Sequence, residues 1–412
     1  MELVGQIIIW VMMGFLALGA GAYIVRPESP LAVEFREGIA VIGQIFIPVA
    51  GMMGIIPLLV PAIGNTIGPI YRALHSDAAI AVSTFLPSDQ GAYALSLEVA
   101  ESHAAWILAF TVSLTSGAVI AFSVPVGLAM LDKRFHRHMA LGVMSGLLAI
   151  PFCSLVMALL LMQSGVLLRE DLDTSGPGTK PFDLSFGEVL LNLVPLVIIM
   201  VLLALALKFF TDAMVKAFLV FGKIITVVTT ISMAANVIEY FTGVFSLIFG
   251  SFPLAPFIAD PDDQFRALEV VGYIGVMLAG AFPMVYAIRV GLARPLQAIG
   301  DRFGISEAGV TGFIAGATNI LALYRVVPLM PARDRVLTIS FSVCAAFAFG
   351  DYLAFTANFQ PNMIVPMIVG KLVGGFIAVA IAMWLAVPYL KRYGDEAGAD
   401  QQNPAPAEPN KA

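Results

Sequence analysis

The chain has 412 residues, of which 59% are hydrophobic and only 12% are charged, whereas a soluble domain carries about 25% charged residues. No soluble core can bury so much apolar sequence, and apolar stretches of roughly 20 residues, each long enough to cross a bilayer, recur along the whole chain. The net charge of −6 lies mostly in loops and in the C-terminal tail, so it favours neither a nucleic acid nor an anionic partner. The composition predicts an all-α integral membrane protein whose solvent is the lipid bilayer.

The alternation of apolar runs and polar breaks predicts eleven candidate membrane segments, two of which are poor spans. Residues 78–98 are interrupted by the run from Pro87 to Gly91, and residues 335–357 are interrupted by Gly350 and Asp351. We therefore predict about 10–11 transmembrane segments, with these two as broken or re-entrant helices. The candidate segments are 3–25, 39–62, 78–98, 104–130, 139–164, 186–208, 222–249, 267–291, 305–327, 335–357 and 361–390.

Polar segments define the organisation of the chain. A loop rich in Asp, Gly and Pro at residues 165–185 links two halves of a single membrane domain, residues 1–393, and the polar residues 394–412 are predicted to form a disordered tail. Positive charge gathers in the loops 133–138, 208–223 and 289–302, which predicts that these loops are cytoplasmic. Ten crossings satisfy this orientation, as do nine with two re-entrant segments, but eleven full crossings do not.

A short spacing pattern occurs twice. The first copy consists of Asp89, Ala92, Tyr93 and Ser96. The second copy has the same spacing and consists of Asp351, Ala354, Phe355 and Asn358. The pattern predicts two repeats, at residues 39–131 and 305–390, which would be inverted in the membrane if all eleven segments cross it.

Three ionisable side chains fall inside apolar segments: Asp89, Asp351 and Lys371. Each costs about 2.5–3.5 kcal/mol to insert, so each is a candidate functional residue. An aspartate at the break of a helix suits a cation site, because the broken backbone also frees carbonyl groups. The structural alternatives are that the aspartates cap half-helices or pair with Lys371, and for Lys371 such pairing is the favoured interpretation.

Other polar and aromatic residues could complete a site for a small amine. Asn319 offers a donor and an acceptor for a hydroxyl group, although a hydrogen bond between helices is as good an explanation. The aromatic residues Tyr93, Tyr352 and Phe355 lie beside the aspartates and could stabilise an ammonium group. Glu269 lies near the end of a segment, as does Glu239.

Several classes of chemistry lack their motifs. The sequence has no Walker phosphate loop, no His-Glu-x-x-His pattern and no dinucleotide fingerprint, so no cofactor and no metal site is predicted. The four histidines, His75, His103, His136 and His138, lie in or beside loops, so a Ser/His pair would have to be assembled across helix ends. An enzyme is therefore not predicted.

Several stretches of the sequence form a recognisable set. They are Phe122-Ser-Val-Pro-Val126, Ala140-Leu-Gly-Val143 continuing to Ile150-Pro151, Arg266-Ala-Leu-Glu-Val-Val-Gly272, Ala348-Phe-Gly-Asp351 and Met363-Ile-Val-Pro-Met-Ile-Val-Gly-Lys-Leu-Val-Gly-Gly375. Together they resemble the ethanolamine permease family of bacterial ethanolamine-utilisation systems. The resemblance runs from about the second segment to the last.

This resemblance implies functional roles at the polar positions that match the family pattern, which are Asp89, Glu98, Glu269, Asn319, Asp351 and Lys371. Glu239 does not fall on such a position. The neighbours differ: Ser88-Asp-Gln-Gly-Ala92 stands where the family pattern has Cys-Asp-Met-Gly-Gly, and Gly350-Asp-Tyr-Leu-Ala354 where it has Gly-Asp-His-Leu-Gly. These differences leave room for a shifted substrate preference.

The resemblance implies uptake of ethanolamine, as its ammonium cation, by facilitated or secondary transport across the bacterial inner membrane. The predicted substrate site comprises Asp89, Tyr93, Asn319, Asp351, Tyr352 and Phe355, supported by Glu98, Glu269 and Lys371. Alternatives that stay open are another small solute such as choline or a nucleoside, a membrane-embedded enzyme, and a solute sensor. The predicted partners are the amine and the lipid bilayer, and homo-oligomerisation is left open.

Overall fold

A computed structural model describes residues 2–261 and 263–393 of the chain. The predicted tail, residues 394–412, lies outside the described residues. Within the described ranges the protein is built from helices, and the only β pairing is a single bridge between Leu168 and Lys180. The α-helices are α1 (Glu2–Val25), α2 (Pro30–Ala73), α3 (Ala78–Phe85), α4 (Ala92–Val99), α5 (His103–Val112), α6 (Val124–Met130), α7 (Lys133–Leu147), α8 (Ile150–Ser164), α9 (Phe186–Phe209), α10 (Thr211–Thr242), α11 (Val244–Phe249), α12 (Ala267–Arg302), α13 (Glu307–Thr318), α14 (Ile320–Val326), α15 (Ala332–Ala345), α16 (Asp351–Phe359) and α17 (Ile364–Tyr393).

Eight helical stretches among the described residues are long and apolar enough to cross a membrane. Large apolar side chains on their outer faces are exposed, as at Trp10 and Trp384, because these faces would contact lipid rather than water. The eight stretches are Glu2–Val25, Pro30–Ala73, His103–Met130, Lys133–Ser164, Phe186–Phe209, Thr211–Thr242, Ala267–Gly291 and Pro361–Leu390.

Helices α3 and α4 form a re-entrant hairpin, which we call hairpin 1. The carboxylate of Asp77 joins both of its ends, because one oxygen accepts the Ala79 N–H and the other accepts the Glu101 N–H, each at 2.8 Å. At the tip, Pro87 and Gly91 turn the chain, and Gly91 adopts φ +95°, which a glycine tolerates best. The predicted interruption of 78–98 is therefore a reversal of the chain rather than a kink in a crossing.

Helices α13 and α14 form a second hairpin, hairpin 2. Its ends also lie together, because Ser306 donates to Asp334 at 2.6 Å and Arg333 donates to the Gly304 carbonyl at 2.9 Å. The predicted continuous span at 305–327 is therefore wrong. The chain reverses at Asn319, whose extended backbone ends α13 and whose side chain accepts the Leu321 N–H at 2.9 Å to begin α14.

Each hairpin is followed by an interrupted helix. The stretch His103–Met130 contains two wide turns with π-type hydrogen bonding, the first at Ser113–Gly117. The second interrupted helix consists of α15 and α16, which are separated by residues 346–350, as predicted for 335–357. Within this break Phe347 has φ +62°, a strained backbone conformation for an aromatic residue.

The two hairpin tips dock onto these interruptions in the same way. Gly117 faces the Leu86 carbonyl of hairpin 1, and Gly350 faces the Thr318 carbonyl of hairpin 2, so closely that a Cβ at either glycine would overlap the oxygen. Hydrogen bonds reinforce both contacts. At the tip of hairpin 2, the Phe349 N–H donates to the Ala317 carbonyl at 3.1 Å. On the first tip, the hydroxyls of Ser88 and Ser113 are 2.5 Å apart.

The described residues thus contain eleven apolar segments but only nine crossings, since eight continuous stretches and the α15–α16 helix cross while the two hairpins turn back. This agrees with the predicted 10–11 segments that include two broken or re-entrant helices, in the arrangement of nine crossings. The second re-entrant segment is 305–327 rather than 335–357. Helices α2 and α12 run antiparallel and place Glu34 within 3.5 Å of Arg289. Following the chain from that end brings the basic loops 133–138, 208–223 and 289–302 to one side, as predicted.

Candidate functional site

A cavity of about 830 Å³ extends from the end of α2 and α12 that carries the basic loops to the two hairpin tips. Its walls come mainly from α2, α10, α12 and the second half of the His103–Met130 stretch, and its deep end is made by hairpin 1, hairpin 2 and the break before α16. The polar and charged side chains of its wall are Glu34, Glu37, Gln44, Asp89, Gln90, Lys223, Thr226, Thr229, Tyr286, Arg289, Thr318, Asn319, Arg325, Asp351 and Tyr352.

Four of the six residues predicted to bind substrate meet at the deep end of this cavity. Asp89 comes from the tip of hairpin 1, Asn319 from the tip of hairpin 2, and Asp351 and Tyr352 from the start of α16. The two carboxylates are close enough to interact electrostatically, and the Tyr352 hydroxyl faces Asp89. Two carboxylates in a poorly hydrated site repel each other, and a bound cation would relieve that repulsion.

Neither aspartate acts as a helix cap, which was the structural alternative. The N-cap position of α4 is Gly91 and that of α16 is Gly350, so neither cap has a side chain that could accept a hydrogen bond. One carboxylate oxygen of Asp89, Oδ1, is buried and has no hydrogen-bond partner within the described ranges. Asn319, in contrast, does cap α14 through its carbonyl oxygen, which leaves its NH₂ group as a donor toward the cavity.

Lys371 lies behind Tyr352 rather than in the cavity wall. Its side chain is 1% exposed, its ammonium group is 4.9 Å from the centre of the Tyr352 ring, and it donates to the Leu114 carbonyl in the first wide turn. The favoured sequence interpretation was pairing with an aspartate. Among the described residues no carboxylate lies within 4.0 Å of Lys371, although Asp89 is near enough to act on its charge.

The structure does not bring Tyr93 or Phe355 to the cavity. Both are 2% exposed and pack into an aromatic cluster in which their rings lie 5.3 Å apart. The Tyr93 hydroxyl accepts a hydrogen bond from Gln360 at 2.9 Å, and Gln360 also accepts the backbone N–H of Arg169 at 3.0 Å. These residues therefore belong to the closure of the side opposite the cavity mouth.

Arg169 holds the 165–185 loop over that closed side. Its guanidinium donates to the Asn358 carbonyl, to the Gly176 carbonyl at 2.6 Å and to the Asp173 carbonyl at 3.1 Å. Burial alone would raise the pKa of Asp173, but hydrogen bonds from Ser175 and Gly176 and the nearby Arg169 charge outweigh it and hold that pKa below its ordinary value. We call the 165–185 loop with Arg169 and Gln360 the plug.

The predicted supporting glutamates lie elsewhere. Glu98 is exposed near the end of α4, outside the cavity wall. Glu269, in the first turn of α12, accepts the Ala259 N–H at 3.1 Å and so fixes the loop before its helix. Glu239 accepts N–H groups of Phe245 and Ser246 at the start of α11.

Sequence reasoning missed the charged residues at the cavity mouth. They are Glu34 and Glu37 on α2, Lys223 on α10, Arg289 on α12 and Arg325 on α14. Each was visible as a charge near the end of an apolar segment. Nothing in the sequence indicated that these four helices surround one opening.

Comparison with known proteins identifies the family. A family described as "Ethanolamine utilisation protein, EutH" matches residues 4–385. The chain belongs to this family. Three relatives are named "Probable ethanolamine permease EutH": that of Listeria monocytogenes is 32% identical over 94% of this chain and 96% of its own length. Those of Salmonella typhimurium and Escherichia coli are 34% and 33% identical over 85% of either chain in each pair. No solved structure matches the chain significantly.

Membership of the family agrees with the eight helical stretches among the described residues that are long and apolar enough to cross a membrane. The chain is a multi-pass protein of the bacterial cytoplasmic membrane. The positive-inside rule predicts that the basic loops lie in the cytoplasm, in which case the cavity opens to the cytoplasm and the plug closes the outer side.

Proposed function

We propose that this protein transports ethanolamine across the cytoplasmic membrane, binding it at the deep end of the cavity. The observation that carries the proposal is that Asp89 and Asn319, from the two hairpin tips, meet Asp351, from the start of α16, at the deep end of the cavity. Membership of a family whose relatives are named as ethanolamine permeases supports the choice of substrate. The proposed activity is transport and involves no catalysis.

The chemistry of the deep end fits both ends of the substrate. Ethanolamine is a cation at neutral pH, and its ammonium group would lie between the two carboxylates, with the unpartnered oxygen of Asp89 as an acceptor. Its hydroxyl would accept a hydrogen bond from the free NH₂ group of Asn319. The Tyr352 ring, which already faces the Lys371 ammonium on one side, would form part of the wall.

The arrangement of helices suggests how the substrate crosses. We propose two inverted halves, in which hairpin 1 and its interrupted helix correspond to hairpin 2 and the α15–α16 helix. The matching glycine contacts at Gly117 and Gly350 support this correspondence. It differs from the register suggested by the sequence pattern, which paired Asp89 with Asp351. Movement of one half relative to the other would close the mouth and release the plug.

The driving force need not come from a second solute. Uptake of one positive charge into a cell with a negative interior gains about 2.3 kcal/mol per 100 mV, which corresponds to roughly fiftyfold accumulation.

Uptake of labelled ethanolamine into proteoliposomes tests the proposal. We expect saturable uptake that rises with an inside-negative potential and falls by about tenfold or more in Asp89→Asn and Asp351→Asn, because each loses a charged hydrogen-bond partner for the ammonium. Asp212→Asn is the matched control, since Asp212 is exposed in the first turn of α10 and is not part of the cavity wall.

Competition experiments address the alternative substrates. The cavity has far more room than a solute of four heavy atoms needs, so choline and nucleosides should be included as competitors. No uptake of ethanolamine by folded protein in the presence of a potential would contradict the proposal, as would stronger competition by choline or by a nucleoside than by ethanolamine itself.

A further inference from the structure

The two interrupted helices offer two comparable positions for a cation. In each, a hairpin tip lies against a glycine of the interruption, Gly117 in the first and Gly350 in the second. Interrupted helices in membranes expose carbonyl oxygens that can coordinate cations, and transporters use them for coupling ions as well as for substrates. The question is what occupies each interruption.

The first interruption is filled by Lys371. The ammonium group donates to the Leu114 carbonyl, lies over the Tyr352 ring at 4.9 Å and is under the influence of the Asp89 carboxylate. A carbonyl oxygen, an aromatic face and a nearby carboxylate all stabilise positive charge. The side chain is 1% exposed, so no water replaces these contacts.

Within the described ranges, no Lys or Arg side chain donates to a carbonyl of the second interruption, residues 346–350, and this interruption opens into the cavity. Its residues Phe347, Phe349 and Gly350 line the cavity wall together with Asp351. In the proposed correspondence between the halves, α7 and α8 of the first half match α17 of the second, which carries Lys371. None of the residues 139–164 in α7 and α8 is charged, so the first half has no equivalent of Lys371. The first position is therefore filled from within the protein, whereas the second is accessible from the cytoplasm.

We infer that Lys371 is a built-in cation that takes the place of a coupling sodium ion at the first interruption, so that the transported amine is the only mobile cation. The inference rests on the proposed function and extends it to the energetics: transport follows the amine gradient and the membrane potential without sodium. Lys371 acts by fixing the first interruption and hairpin 1, and it does not touch the substrate.

Thermal stability of the purified protein in isotonic NaCl and isotonic KCl, without substrate, tests this inference separately from transport. We expect the unchanged protein to unfold at the same temperature in both salts. In Lys371→Ala, which removes the ammonium and leaves space beside the Leu114 carbonyl, sodium should bind and raise the unfolding temperature in a saturable manner. Lys371→Met is the matched control, since it removes the charge but fills the space, and it should show no sodium effect.

Uptake provides the second measurement and covers the case in which Lys371→Ala does not fold. The unchanged protein should take up ethanolamine equally well in sodium and in potassium buffer at a fixed membrane potential. In Lys371→Ala, uptake should fall by about tenfold in potassium buffer and recover in part with sodium.

Three results would overturn the inference: uptake by the unchanged protein that requires sodium, a folded Lys371→Ala without a sodium-specific rise in unfolding temperature, or the same rise in Lys371→Met. The failure of the proposed function would look different, since the unchanged protein would then take up no ethanolamine in either salt while the sodium effect on Lys371→Ala persisted.

Discussion

The docking of the two hairpins depends on glycines that can be tested one at a time. In Gly117→Ala the new Cβ would overlap the Leu86 carbonyl, and in Gly350→Ala it would overlap the Thr318 carbonyl. Backbone carbonyls cannot rotate away as a flexible side chain can, so each hairpin tip must shift. Overpacking of this kind costs about 1–3 kcal/mol. At about 1.4 kcal/mol per factor of ten, the docked arrangement should become roughly 5 to 150 times less favoured.

The control is Gly64→Ala, on the same chain but with no atom within 4 Å of the added methyl group. Replacing a glycine in a helix by alanine stabilises the helix by about 0.8–1 kcal/mol, so Gly64→Ala should unfold at the same temperature as the unchanged protein or slightly above it. We expect both docking variants to unfold at clearly lower temperatures in detergent and to lose about tenfold or more of their ethanolamine uptake, because the hairpin tips hold Asp89 and Asn319 in place.

The reasoning would be refuted if Gly117→Ala and Gly350→Ala behaved like Gly64→Ala in both assays. If only one of the two docking variants lost stability and uptake, the docking contact at that glycine would be supported. The correspondence between the two halves would be contradicted.

Three further predictions concern the plug and the mouth. Arg169→Ala removes the guanidinium hydrogen bond to the Asn358 carbonyl of α16 and the bonds to Asp173 and Gly176 that shape the plug. Ser88→Cys in that background should react about tenfold faster with an impermeant thiol reagent added outside than in the presence of Arg169. The pKa of Asp173 is lower in the folded protein than in the unfolded chain, where it is about 3.8, so the Asp173 carboxylate stabilises the fold fully only above pH 3.8. The difference in unfolding temperature between the unchanged protein and Asp173→Asn should therefore shrink as the pH falls below 3.8. A difference that stays the same at lower pH would contradict this prediction. At the mouth, a double-mutant cycle with Glu34→Gln and Arg289→Gln should give a coupling of only about 0.2–1 kcal/mol in thermal stability, because both side chains are partly exposed.

Much of this architecture could be predicted from composition and from isolated polar residues. The breaks at Pro87–Gly91 and at Gly350–Asp351 contain residues that disfavour a helix, and the structure interrupts the chain at both places. Buried charge also identified Asp89 and Asp351, because an aspartate in an apolar segment needs a reason to be there. Both line the deep end of the cavity.

Other features depend on tertiary contacts that no local pattern encodes. Hairpin 2 was missed because a single extended residue, Asn319, reverses an otherwise apolar run, and the reversal is fixed by Asp334 and Arg333 from the next helix. The wide turn at Ser113–Gly117 contains neither Pro nor Asp and is stabilised by the docked tip of hairpin 1.

The aromatic residues illustrate a second limit, since chain proximity does not determine which way a side chain points. Tyr352 and Phe355 are both close in sequence to Asp351, yet only Tyr352 lines the cavity. Phe355 is one helical turn further along α16 and packs with Tyr93 beneath the plug. A sequence without tertiary information assigns both to the same site.

The position of the closures indicates which step each half controls. The mouth is open between α2, α10 and α12, whereas the outer side is closed by contacts from Arg169 and Gln360 to α16 and hairpin 1. Those two elements also supply Asp351 and Asp89, so in the proposed mechanism release of the plug would also move both carboxylates. An amine bound between the two carboxylates would relieve their repulsion. It would thereby favour an arrangement in which α16 and hairpin 1 stay together while the plug opens. In the proposed mechanism such a carrier would return without a second ion, because the Lys371 ammonium would stay near Asp89 when the substrate has left.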